Sequence, residues 1–400
     1  MKILKIYADS FRGLSTESWM LAIVMLINRT GSMVLPFLGV YMTSQLGFSL
    51  KSAGIVLSFF GIGSVVGSWL GGIITDKIGD FKVQTFSLLL SVPLFLLIPH
   101  FTTIYGMAFI MFTLSCISEA FRPANSVAVT KYAKSENLTR AFSLNRMAVN
   151  LGFSIGPALG GILSAISYDF LFYANAIGAL LAAITYILFF RKRAYRNPHQ
   201  KIDKDEVKSI SPYKDYPFLL FCFLCLMFSV CFFQLFNTLT LFYKEEAHLS
   251  QEYIGYLLGY SGIVIVILEM LLVQIAEKRF ALQFSLFIGT ILCGISYAML
   301  GFGTHIIYLL FAMTFLCVGE IWALPFMATV TAMRSGEHNK GAYMGLLGIA
   351  FSVSFIITPS LGTMIAENLG FRFLWIATGI VMALTAIGFY ILIPRMIKQN

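Results

Sequence analysis

From Cys116 the chain reads CISEAFRPANS, and from Asn150 it reads NLGFSIGPALGG; the layout of this 116–161 stretch returns near the other end. A shift of 202 lays Pro123 on Pro325, Asn137 on Asn339, Pro157 on Pro359 and Gly160 on Gly362, and a shift of 201 lays Cys116 and Glu119 on Cys317 and Glu320. Few letters are identical. What repeats is the order: an acid, a proline, a polar turn and a Pro/Gly kink, all within apolar surroundings. A duplicated apolar half with acids inside it predicts a two-fold membrane protein with a site between its halves.

Composition agrees. The 400 residues are 58% apolar and only 12% charged, with mean hydropathy +0.82. A soluble domain carries about 25% charged residues, so this surface is made to face lipid. The net charge of +9 raises nucleic acid as a partner. The basic residues, however, sit in short loops between apolar runs, as cytoplasmic loops do, and no basic domain or nucleic-acid motif accompanies them.

Spanning takes about 20 apolar residues. Runs of that kind occupy 17–45, 51–75, 83–99, 104–131, 139–166 and 170–190, then 216–243, 252–276, 281–301, 305–333, 340–366 and 371–394. The expectation is an all-α membrane protein of twelve transmembrane helices in two pseudo-symmetric bundles, 1–190 and 216–400, joined by a loop at 191–215. No small-residue cleavage site closes the first run, which reads as a retained span. Residues 3–14 mix apolar and charged positions and suit the membrane surface.

An even number of spans puts both termini on one side. Alternate loops and termini give that side 22 Lys and Arg, against Lys51, Lys244 and Arg372 on the other. The richer side is therefore expected to be cytoplasmic, in a bacterial inner membrane, with the protein monomeric. The joining loop holds eight basic and four acidic residues and reads as a solvated linker.

Six cysteines fall inside apolar runs and read as small buried hydrophobes. The five histidines are scattered, so no metal or cofactor site is proposed. Small residues recur every fourth position at Gly63, Gly67 and Gly71 and at Gly152, Gly156 and Gly160, with Gly341, Gly345 and Gly348 near the other end. Such faces let helix backbones approach in lipid, and we expect the halves to rock along them.

Arg29, Glu119, Arg122, Arg146, Glu269 and Glu320 lie within spans. A charge at a helix centre costs roughly 2.5–3.5 kcal/mol, so the set standing alone would cost on the order of 15 kcal/mol. Three arginines face three glutamates, so full pairing is open to them. Glu119 and Arg122, three apart, share a helix face, and Arg29 can join them as a salt bridge between helices. Glu269 and Glu320 have no basic neighbour on their own helices, and burial without a partner favours the neutral carboxyl. These two, with Glu119, are the expected proton carriers; hydrogen bonding as neutral acids is the alternative. Asn28, Asn150, Gln234 and Asn237 add polar lining to a cavity shared with Arg29, Arg122 and Arg146, and Trp322 offers an aromatic contact.

Between the second and third spans the chain reads GIITDKIGDFK from Gly72. This resembles the cytoplasmic loop signature of the major facilitator superfamily, G-x-x-x-D-[RK]-x-G-x-[RK]-[RK], through Gly72, Asp76, Lys77, Gly79 and Lys82, departing at Phe81. Gly79 permits a left-handed turn and Asp76 can cap another element; the second-half counterpart has decayed to Ala276-Glu277-Lys278-Arg279. Gly152, Gly156, Pro157, Gly160 and Gly161 resemble the antiporter signature of the same family, with Ser143 in place of its leading Gly. Their kink offers a bend point or serves packing alone. Arg122-Pro-Ala-Asn125-Ser126 is a looser match to R-x-x-Q-G.

The resemblance covers the whole chain and is closest to the twelve-helix drug:proton antiporter branch. It implies substrate binding near mid-membrane and alternating access driven by protonation. No G-x-x-x-x-G-K-[ST] loop suggests an ATP-driven pump, and no nucleophile motif suggests an enzyme. The expected function is proton-coupled export of small amphipathic molecules. Import by symport of an organic anion, peptide or siderophore is the alternative, and a non-transporting sensor the remaining one. Proton entry supplies about 2.3 kcal/mol per 100 mV and about 1.4 per pH unit, enough for a gradient of several hundred-fold.

Overall fold

A computed structural model describes residues 7–31, 34–196, 210–236, 238–336 and 339–397. Among these the regular structure is helical, with no strand. The first half holds α1 (Thr16–Thr30), α2 (Val34–Ser44), α3 (Leu50–Ile78), α4 (Asp80–Leu97), α5 (Ile104–Tyr132), α6 (Leu138–Ile166) and α7 (Tyr168–Arg196). The second holds α8 (Tyr216–Phe232), α9 (Thr238–Glu245), α10 (Gln251–Arg279), α11 (Leu282–Leu300), α12 (Ile306–Arg334), α13 (Lys340–Leu369) and α14 (Phe371–Ile397).

Eleven helices among the described residues are long and apolar enough to cross a membrane. The first expected span is instead divided, α1 ending at Thr30 and α2 starting at Val34. The sequence holds the reason. Gly31, the residue that caps α1, is a poor helix residue. The seventh span is divided as well, by a 3-10 turn over Phe233–Phe236 between α8 and α9. Both halves thus carry a broken helix at the same place in their order, an arrangement that opens backbone only where a cavity or protein can satisfy it.

The sequence repeat is also a structural one. Pro123 and Pro325 sit inside the 29-residue helices α5 and α12, and Asn137 and Asn339 stand immediately before α6 and α13. Ser49 and Ser250, 201 apart, cap α3 and α10 by accepting the N–H of Ser52 and Tyr253. A helix of 29 residues is about 43 Å long, ample for a hydrocarbon core of about 30 Å. Apolar packing follows the halves. One cluster draws only on residues between Phe218 and Met396 and a second only on residues between Val34 and Phe172. The third belongs mainly to the first half but takes in Met270, Ala332 and Met344 from the second.

The small-residue faces divide into two kinds. Gly63, Gly67 and Gly71 pack on Phe112, Cys116 and Ala120 of α5, and Gly152 packs on Arg29 and Thr30 of α1. These contacts lie within the first half and do not form a surface along which the halves could rock. Gly341 and Gly345 do cross between halves, meeting Gly72 and Ser68 of α3. Equal spacing shows that a helix has a small face but not which neighbour it meets.

Candidate functional site

The halves meet where the loop signature lies. The Asp76 carboxylate accepts the backbone N–H groups of Gly341 at 2.6 Å and Ala342 at 2.8 Å, donors in the first turn of α13 that have no acceptor within the helix. A helix N-terminus carries partial positive charge, so a carboxylate there is favoured twice over. Gly72 allows the approach, because an added Cβ would strike the Gly341 carbonyl. Gly79 turns the chain into α4 at φ +92°, as its place in the signature requires. Asp80 pairs with Lys131 at 3.2 Å.

The decayed counterpart does the same work. Glu277, 201 residues after Asp76, faces the start of α6 in the opposite half. The Arg140 guanidinium closes on the same carboxylate at 2.7 Å and donates to the Arg12 carbonyl at 3.0 Å. The second half's α10 is thereby fastened to the first half's α6. Gln274 adds a hydrogen bond to the Asp9 carbonyl at 3.1 Å, and Thr329 donates to Thr139. Arg334 donates to the Met396 carbonyl, so this closed face carries the first and last described stretches of the chain.

One layer deeper lies the charge cluster. Arg146 of α6 donates to Glu269 of α10 at 2.8 Å and stands 3.5 Å from Glu320 of α12. Ser143, one turn before Arg146, donates to Glu269 at 3.0 Å. Glu269 is fully buried and Glu320 is 4% exposed. The sequence left both acids without a basic partner; the structure gives them one, shared, from the other half. Local spacing could not reveal it, since Arg146 is 123 residues from Glu269.

The other three in-span charges of the sequence reading gather inside the first half. Glu119 and Arg122 pair at 3.1 Å, as their spacing predicts. Arg29 and Glu119 line one cavity of about 70 Å³, with Asn28, Ser87, Ser91, Ser118 and Asn175 as polar lining and Val34, Leu38 and Phe60 on its apolar side. Among the described residues no carboxylate comes within salt-bridge reach of Arg29, and its Nε has no hydrogen-bond partner. Its guanidinium carbon lies 5.6 Å from the centre of the Phe153 ring.

The remaining expected site residues are dispersed. Asn150 lies on α6 with its amide nitrogen unbonded. Gln234 is buried within the second half against Gly362, the repeat partner of Gly160. Trp322 spends its indole N–H on the Leu272 carbonyl of α10 and packs against Phe280. Asn237 lies outside the described residues. Gly156, Pro157, Gly160 and Gly161 all fall within α6, and Lys77 and Lys82 stand at the end of α3 and the start of α4. Sequence reasoning missed Arg140, whose partner Glu277 was already marked by its repeat distance from Asp76. It also missed the Asp215–Arg334–Tyr343 network at the base of the second half.

Comparisons with known proteins agree with this geometry. The profile of the Major Facilitator Superfamily matches residues 20–330 and 279–400. The chain is 27% identical over 392 residues to the MFS-type transporter YttB of Bacillus subtilis, covering 95% of each. It is 26% identical over 346 residues to Multidrug resistance protein 2 of the same organism, covering 81% of this chain and 82% of that one. In fold it is similar to a bacterial homologue of the iron transporter ferroportin in an outward-facing state. That likeness has a TM-score of 0.77 at 15% identity and covers 94% of this chain and 99% of that one. The chain belongs to the Major Facilitator Superfamily, whose members are membrane transporters and not enzymes.

Proposed function

We propose that this transporter exchanges a proton for a small amphipathic molecule, exporting it by alternating access across a bacterial cytoplasmic membrane. The halves 1–190 and 216–400 move as bodies about a site at their interface, linked by 191–215, in a monomer. The face that carries the termini is the cytoplasmic one, by its excess of basic residues. A relative named for multidrug resistance supports a drug-like substrate.

One observation carries the reading: a single arginine, Arg146, serves two buried carboxylates contributed by the opposite half. With both acids ionised the cluster holds one negative charge in excess. Uncompensated charge is expensive in a buried site, so the cluster takes up either a proton or the cationic end of a substrate. Two occupants competing for one charge cannot ride together, and that exclusion is what turns a proton gradient into exchange. Opening the halves parts Arg146 from both acids, so occupancy and conformation are linked.

Purified protein in liposomes under an imposed pH gradient tests this. Wild type should drive substrate against its gradient, while Glu320→Gln and Glu269→Gln, which hold the cluster neutral without a proton, should lose the coupling. Wild-type coupling in both variants would end the proposal.

A further inference from the structure

The six charges that the sequence places within spans do not pair one to one. The interface cluster has two acids and one base, Glu269, Glu320 and Arg146. The group inside the first half has two bases and one acid, Arg29, Arg122 and Glu119. One site is short of a positive charge and the other short of a negative one. Arg29 is the member left without an acid in salt-bridge reach among the described residues.

The two sites share one helix face. Arg146, Asn150 and Phe153 are spaced four and seven residues along α6, so they line up on the same side. The seven residues from Arg146 to Phe153 rise about 10.5 Å along the helix axis. At one end Arg146 holds the two acids; at the other Arg29 lies over the Phe153 ring. Phe153 is 49% exposed, and the unbonded amide nitrogen of Asn150 lies between them. The track is therefore anionic, then polar and aromatic, then cationic.

We infer that the substrate is an amphipathic zwitterion lying along α6, its ammonium end at Glu269 and Glu320 and its acid group on Arg29. This rests on the exchange reading above and adds the second recognition point. The ammonium competes with the proton at the interface cluster. The acid group meets a guanidinium whose charge is permanent, so Arg29 selects the substrate without taking part in proton exchange. The middle of the molecule is an apolar or aromatic spacer that packs on Phe153. A cavity of about 70 Å³ beside Arg29 accommodates an acid group but not a whole drug-sized molecule, whose pockets run to about 300–1,000 Å³.

The test compares three forms of one scaffold in pH-driven liposome exchange: a para-substituted aminomethyl-biphenyl carboxylate, its methyl ester and its N-acetyl derivative. The first carries both charges, the second only the cation and the third only the anion. The zwitterion should be preferred over the ester in kcat/KM by about 10- to 100-fold, the worth of a hydrogen-bonded charge contact. Arg29→Gln should collapse that ratio and Arg29→Lys should keep most of it. A ratio taken on one protein does not depend on how much of it folds. An ester that moves as well as the zwitterion, or a ratio unchanged in Arg29→Gln, overturns the inference and leaves proton exchange standing. If neither these compounds nor a panel of lipophilic cations moves under the gradient, the exchange reading fails as well.

Discussion

Removing the Asp76 carboxylate should unfasten the termini-bearing face without unfolding either half. Asp76 accepts two backbone N–H groups of α13 at 2.6 and 2.8 Å, and both come from the opposite half. A hydrogen bond to a charged group contributes about 1.5–3 kcal/mol. Water replaces both bonds when the face opens, and Asp76 is only half-buried, so the pair together favours closure by about 2–3 kcal/mol. Losing that shifts the closed-to-open ratio by about 30- to 150-fold. The reporter is Ala332→Cys, at a position 5% exposed where the second half packs into the first half's core. Cys222, Cys225, Cys231, Cys293 and Cys317 are buried, so a Cys116→Ala background leaves little competing signal. A membrane-impermeant maleimide supplied to the termini face should label Ala332→Cys faster in Asp76→Ala by that factor. Asp76→Asn keeps an acceptor without the charge and should fall between. Arg140→Ala weakens the matching Glu277 fastening and should add to the effect, since the two contacts share no partner. An unchanged labelling rate in Asp76→Ala would refute the assignment of this contact as a closure.

The two kinds of glycine face should respond differently to the same substitution. Gly67→Leu drives a side chain into the Cys116 backbone of its own half and should lower the yield of folded protein. Gly72→Leu meets the Gly341 carbonyl across the halves and should leave folding while raising the Ala332→Cys labelling rate. At the base of the second half, Asp215 binds Arg334 at 2.8 Å with their side chains 1% and 6% exposed. Burial pushes the Asp215 carboxyl up, but the hydrogen bonds from Arg334 and Tyr343 outweigh it and hold it below its ordinary range. A lowered carboxyl contributes stability above its unfolded value, about 3.9, and loses it only as pH falls through the lower folded value. Thermal melting should therefore show a loss of about 3–5 kcal/mol in Asp215→Asn, the usual result of breaking a buried pair. From pH 5 to 8 that difference should stay constant; a difference that fades towards pH 5 would contradict the sign.

The span pattern was legible because lipid makes helix length and apolar run length nearly the same quantity. The boundary between the expected spans 281–301 and 305–333 falls between α11 and α12, where the chain does turn. The signature around Gly72 could be read for the same local reason: Gly79 has to adopt a positive φ, and Asp76 sits at a helix end. What the sequence withheld were relations between distant residues. Arg146 looked like one more charge near a helix end, yet it is the shared partner of two acids that appeared unpartnered. Gly63 and Gly341 carry the same spacing signal, but one lies inside a half and the other between halves. The breaks at the first and seventh spans were hidden because Gly31 and the Phe233–Phe236 turn lie inside runs apolar enough to pass as continuous.

The uneven pairing of buried charge makes a sharper claim than their number does. Three arginines and three glutamates sum to zero, so neutrality alone would be met by three pairs. Here the excess is divided, one negative charge at the interface and one positive charge in the first half, and the same chemical change at the two places should act oppositely. Glu320→Gln removes the interface excess and leaves Arg146 bonded to Glu269 at 2.8 Å. The folded protein should be at least as stable as wild type, because a buried uncompensated charge is gone. Glu119→Gln strips Arg122 of its partner and adds to the existing excess beside Arg29, so it should destabilise. Arg122 is 41% exposed, which limits the loss to about 1 kcal/mol. Melting curves of the two variants in one detergent at neutral pH separate them. If Glu320→Gln falls as far as Glu119→Gln, the interface acids are serving as structural pairing, and an excess charge waiting for a proton or a substrate is the wrong description of them.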